Sequence, residues 1–88
     1  MSKFYIAVAY SKLGDNQKAI ADYNQAISLN PNDAGAYFRR GDAYVRLGDY
    51  QKAIADLEKS ANLFKEKGQI EIAIEILQIS NQIKSIAP

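Results

Sequence analysis

Apolar residues recur along the chain at steps of three and four, the spacing that puts side chains on one face of a helix. From Ala34 to Leu47 the stripe is Tyr37, Gly41, Tyr44 and Leu47; from Tyr50 to Leu63 it is Ala53, Ile54, Leu57 and Ala61. Gly48-Asp49 divides the two segments: glycine accepts the left-handed turn that ends a helix, and aspartate caps the start of the next. The same design comes first as roughly Ser2 to Leu13, Gly14-Asp15, then Asn16 to Leu29. Between the designs lies Asn30-Pro31-Asn32-Asp33, where Pro31 biases Asn30 out of helical geometry and Asp33 is placed to cap the following helix. The pattern predicts antiparallel helical hairpins stacked side by side.

The hairpins are copies of one unit. Leu13 to Asp22 (LGDNQKAIAD) and Leu47 to Asp56 (LGDYQKAIAD) share nine of ten residues at a shift of 34. Extending that register pairs Phe4 with Phe38, Ala9 with Ala43, Tyr10 with Tyr44 and Leu29 with Leu63. A lone hairpin has two apolar stripes and covers one; stacking a second buries the other. Small residues at Ala9, Ala19, Gly41, Ala43 and Ala53 let helix axes approach, while Tyr10, Tyr23, Tyr37 and Tyr44 fill the space between. At helical spacing and in equivalent places, these tyrosines read as packing and not as a ligand-stacking box.

With these residues in place the chain resembles the tetratricopeptide-repeat family. The second unit carries Tyr37, Gly41, Tyr44, Gly48-Asp49-Tyr50 and Ala53-Ile54; the first carries Tyr10, Gly14-Asp15, Ala19-Ile20, Ala26 and Pro31. The departures are Lys3 for an aromatic residue, Ala7 for Gly, Arg40 for an aliphatic residue, Ser60 for Ala and Lys65 for Pro. Lys65 implies a last hairpin helix that runs on past Phe64. The resemblance implies an all-α superhelix of about five helices, organised as repeat 1 (1–33), repeat 2 (34–67) and a C-terminal capping or interaction helix (68–88).

That last helix, over Gln69 to Ala87, is apolar around most of its girth. Ile70, Ala73, Ile74 and Leu77 fall on one face; Ile72, Ile76, Ile79, Ile83 and Ile86 fall on a second, nearly opposite; glutamates and glutamines fill a narrow arc. Such a helix needs burial on both sides. Either intramolecular contacts cover the second stripe, or Ile72, Ile76, Ile79 and Ile83 dock a partner or another copy of the chain.

Composition narrows the chemistry. Eleven Lys and Arg against ten Asp and Glu give a net charge of +1, far from the basic excess of a phosphate-backbone binder. The absence of Cys and His excludes disulfides, thiol nucleophiles and the commonest general base and metal ligand. The recurring carboxylates Asp15 and Asp49, and Asp22 and Asp56, follow the repeat and read as structural. No uncharged stretch approaches the roughly 20 residues that span a bilayer. The apolar run Phe4 to Tyr10 is short for a leader and fits half of a repeat better. We therefore expect a non-enzymatic cytoplasmic module with no cofactor, no metal, no nucleic acid and no membrane partner.

In the family it resembles, the first helix of each hairpin lines a concave groove that holds peptides. That surface maps to Phe4, Val8, Ser11 and Lys12, and to Phe38, Asp42, Val45 and Arg46. Asp42 and Arg46 can also simply pair along the helix. Where a subset of the family clamps the carboxylate of chaperone C-terminal tails with Lys and Asn, this chain has Phe4, Val8 and Asp42, so no such clamp is expected. The expected partner is a protein or peptide, with homo-oligomerisation through the isoleucine-rich helix as the alternative.

Overall fold

The computed structural model describes the backbone of residues 3–86 and the side chains of residues 14–86. Among these residues lie α1 Lys3–Leu29, α2 Ala34–Arg46, α3 Tyr50–Glu66 and α4 Ile70–Ile86. Each helix packs on its neighbour in the chain: α1 on α2, α2 on α3, α3 on α4. The architecture is the all-α stack of antiparallel helices expected from the sequence, with four helices and not five.

The second hairpin forms for the local reasons its sequence gives. Asp33 caps α2 by accepting the Ala36 N–H at 3.0 Å, and Asp49 caps α3 by accepting the Lys52 N–H at 3.4 Å. Gly48 turns the chain between them at φ +81°, a conformation that costs an L-residue about 1–2 kcal/mol. Gly41 lets the two helices cross closely: a Cβ there would stand 3.1 Å from Leu57 Cγ and 3.3 Å from the Ala53 carbonyl. Ser60, buried in place of an alanine, donates to the Ala34 carbonyl at 2.8 Å. With Lys65 where the family has proline, α3 continues to Glu66, as its sequence implies.

The first unit departs from expectation. Instead of turning at Gly14-Asp15, α1 runs unbroken for 27 residues, and the positive-φ glycines are Gly48 and Gly68. Nearly the same ten residues are thus a helix–turn–helix corner in one unit and straight helix in the other. The reason lies in what each hairpin has to close upon. In the first unit the sequence has Ala7 and Tyr23 at the places of Gly41 and Leu57, and at the second unit's crossing even a methyl on Gly41 would stand only 3.1 Å from Leu57. The second unit's Arg40–Asp56 ion pair has Ile6 and Asp22 at its first-unit places. Without those gains, keeping glycine in a helix costs only about 1 kcal/mol.

Arg40 ties three helices together. Its Nε and Nη2 donate to the two carboxylate oxygens of Asp56, each at 2.7 Å, and its Nη1 donates to Asn24 Oδ1 at 2.9 Å. The guanidinium lies 5.4 Å from the Tyr37 ring centre and 6.0 Å from that of Tyr44. The Asp56 side chain is only 8% exposed and that of Arg40 20%. The hydrogen bonding to Asp56 pushes the Arg40 pKa above its ordinary value, against the opposing effect of burial. An aliphatic residue at this place would have left Asp56 without a partner.

At the other end, Gly68 repeats the Gly48 turn at φ +83° and leads into α4. The core there gathers Leu57 and Ala61 of α3 with Ala73, Ile76 and Ile83 of α4, and Phe38, Val45, Ile54 and Phe64 pack against it. α4 meets α3 much as α3 meets α2. At a shift of 20 residues Gly48, Ala53, Leu57 and Ser60 recur as Gly68, Ala73, Leu77 and Ser80; both glycines turn and both alanines and serines are buried, but the Ser80 hydroxyl, unlike that of Ser60, has no partner among the described residues.

Two predictions follow from this packing. Gly48→Ala should lower stability by about 1–2 kcal/mol, whereas Gly14→Ala should raise it by up to about 1 kcal/mol, both read from urea midpoints. A loss at Gly14 equal to that at Gly48 would show that Gly14 turns in solution. Separately, Arg40→Ala should cost about 3 kcal/mol by stranding a buried carboxylate, while Arg40→Leu with Asp56→Leu should recover most of that loss. A single-mutant cost below about 0.5 kcal/mol would remove the pair from the fold's supports.

Candidate protein-interaction groove

Helices α2 and α4 flank α3 and leave two adjoining cavities between them. The larger, about 330 Å³, is lined by Gly35, Phe38 and Arg39 of α2, Phe64 of α3, and Ile72, Glu75, Ile76 and Ile79 of α4. The other, about 220 Å³, is lined by Phe38, Asp42 and Val45 of α2, Leu57 of α3, and Ile79, Gln82, Ile83 and Ile86 of α4. Phe38 and Ile79 belong to both, so the two cavities are halves of one groove.

Helical spacing explains the walls. Gly35, Phe38, Asp42 and Val45 recur at steps of three and four along α2, and Ile72, Ile76, Ile79, Ile83 and Ile86 do so along α4. The floor is apolar, and the charged groups stand at the rim. Asp42 accepts from Arg46 Nε at 3.1 Å one turn on, an exposed pair worth a few tenths of a kcal/mol. Arg39 and Glu75 come to the larger cavity from opposite walls, and neither forms an ion pair among the described residues.

The residues singled out in the sequence fall as follows. Phe38, Asp42 and Val45 line the groove, and Arg46 sits beside it as the partner of Asp42. Phe4, Val8, Ser11 and Lys12 lie outside the residues whose side chains the structure describes. The isoleucines expected to act as one exposed stripe divide: Ile76 is 4% exposed and Ile83 is also core, whereas Ile72 and Ile79 are each 40% exposed on the groove wall. Ile76 and Ile83 are therefore packed mainly on α3, and what remains of their surface lines the two cavities. The two surfaces expected to be separate, a peptide groove and an isoleucine stripe, are opposite walls of one feature. Sequence reasoning missed Arg39, Phe64, Glu75 and Gln82; extending the Phe38–Asp42 spacing back one turn reaches Gly35 and Arg39. A further apolar strip, Ile70, Ile74 and Leu77, is exposed on α4 and lines neither cavity.

Consecutive antiparallel helices, a duplicated 34-residue unit and a groove along one side define a helical-repeat protein. Comparison with known families specifies which kind. The family described as TPR repeat matches residues 8–48, and that described as tetratricopeptide repeat matches residues 34–67. The chain belongs to the tetratricopeptide-repeat family, whose repeats generally mediate protein–protein interaction and are typically non-catalytic. Comparison with curated proteins finds no match. Among the described residues, no helix is long and apolar enough to cross a membrane.

The division of the isoleucines is directly testable. Ile76→Glu places a carboxylate in the core and should remove cooperative unfolding or cost more than about 3 kcal/mol. Ile79→Glu should change stability by less than about 1 kcal/mol. Equal losses in thermal melts would place Ile79 in the core as well.

Proposed function

We propose that this chain is a non-enzymatic cytoplasmic interaction module whose two repeats, 1–33 and 34–67, and C-terminal helix segment, 68–88, hold a protein partner in the groove between α2 and α4. The observation that carries this reading is the continuous apolar lining of Phe38, Leu57, Phe64 and Ile79 open between two helices, with charges confined to its edges. Grooves of this kind bury the apolar face of a peptide and fix its register through the rim. Asp42 supports the exclusion of a C-terminal carboxylate as the anchor, since it already sets a negative charge on the groove wall. Affinity should be modest because the groove is short.

A second reading rests on a different surface. Ile70, Ile74 and Leu77 leave an exposed apolar strip on α4, away from the groove, that would suit contact with another copy of the chain. One experiment separates the two. A photo-crosslinking amino acid at Ile72 or Ile79 should trap a partner of foreign mass in cells that express the chain, and the same group at Gln17 or Ser28 on α1 should not. Adducts of twice the chain mass, strongest from position 74, would favour the oligomer. Equal trapping from α1 would remove the groove from the mechanism.

A further inference from the structure

Resting on the reading that the groove is the binding surface, we infer that its occupant is an amphipathic helix of about three to four turns, carrying an acidic residue on the flank that meets Arg39 and a basic residue on the flank that meets Glu75. From Ile72 to Ile86 the α4 wall runs fourteen residues, about 21 Å, and from Gly35 to Val45 the α2 wall runs about 15 Å. An extended peptide would cross that length with about five or six residues. Every backbone N–H and C=O it turned toward the floor would meet Phe38, Phe64, Leu57 and Ile79, none of which offers a side-chain hydrogen-bonding group.

The polar side chains that reach the groove are Arg39, Asp42, Glu75 and Gln82, and Asp42 is engaged by Arg46. A strand laid in the groove would therefore bury main-chain groups without partners. A helix satisfies its own backbone and presents only side chains. Its apolar stripe, at steps of three and four, meets a floor and walls that are themselves built on that spacing.

The rim charges add direction. Arg39 and Glu75 enter the same cavity from opposite walls, and neither is neutralised by a neighbour among the described residues. A helix with acid on one flank and base on the other satisfies both charges in one orientation and opposes both when reversed. Electrostatic complementarity of this kind acts chiefly on register and partner choice.

The test uses the whole chain and two synthetic 14-residue peptides of matched composition. One has leucines at helical spacing, glutamates on one flank and lysines on the other; its counterpart has two central residues exchanged for proline. Methyl NMR titration follows Val45, Ile72 and Ile79 in the groove and Ile74 outside it. The helical peptide should shift the groove methyls with a Kd of about 10–100 μM, and the proline peptide should bind at least about tenfold more weakly. Arg39→Glu should weaken the helical peptide about tenfold, and Arg39→Glu with Glu75→Arg should restore it. Equal binding of the proline peptide at the same methyls would overturn the helical occupant while leaving the groove in place. Shifts confined to Ile74 would overturn both. Groove shifts that depend on protein concentration alone would identify a second copy as the occupant, and no shift of any methyl at about 1 mM peptide would also overturn the inference.

Discussion

The arrangement of the molecule turns on the forked pairing of Arg40 with Asp56. It is a costly way to join two helices, because both charges give up water and the attraction between them roughly offsets that loss. What it supplies is geometry. Two 2.7 Å bonds to one carboxylate, a third to Asn24 of α1 and flanking contacts with Tyr37 and Tyr44 leave the guanidinium little freedom. Successive residues in a helix are separated by about 100°, so Arg40 points about 160° away from Phe38 and Asp42 and about 140° away from Val45. Fixing Arg40 toward α1 and α3 therefore fixes Phe38, Asp42 and Val45 on the opposite side, where the groove lies. The clamp and the candidate binding surface are two faces of the same helix.

The same pairing explains why two nearly identical sequences take different shapes. Gly-Asp after a helical stretch was legible as a corner, and in the second unit it is one. Turn chemistry, however, fixes only where a helix is able to stop. Whether it does stop depends on what its arms gain by folding together, and that gain is tertiary. In the second unit the arms meet through Gly41 against Leu57 and Arg40 against Asp56; in the first, the same places hold Ala7 and Tyr23, and Ile6 and Asp22. Of these positions, Ala7 and Arg40 stood in plain view as departures from the family pattern. What they lacked without coordinates was a contact at 3.1 Å to show that there was no room for a methyl group.

The capping aspartates, the second hairpin, the extension of α3 to Glu66 and the presence of α4 were all legible, since each follows from local chemistry or from periodicity. The side on which α4 packs was not. Periodicity gives the angles between side chains on a helix but not the direction of its neighbour, so the arc holding Ile72, Ile76, Ile79 and Ile83 read as one surface. In the structure α3 takes Ala73, Ile76, Ser80 and Ile83 and leaves Ile72 and Ile79 to the groove. A register of 34 residues fades after Gly68, which hid the relation between α3 and α4. A register of 20 would have exposed it, with Gly68, Ala73 and Ser80 standing for Gly48, Ala53 and Ser60.

That shorter register also gives the excess isoleucine of α4 a location. Where α3 carries Lys52, Asp56 and Lys59, α4 carries Ile72, Ile76 and Ile79. In α3 the two lysines are exposed and the aspartate is occupied by Arg40; in α4 the corresponding positions turn toward the groove and its floor. A helix of the same packing pattern has thus exchanged charge for apolar surface along the side that faces α2. Were the isoleucines only a means of covering the end of the stack, Ile76 and Ile83 with Ala73 would suffice, because these are the residues α3 buries. Ile72 and Ile79 add little to that core at their exposure; they stand opposite Phe38 as the apolar wall of the groove.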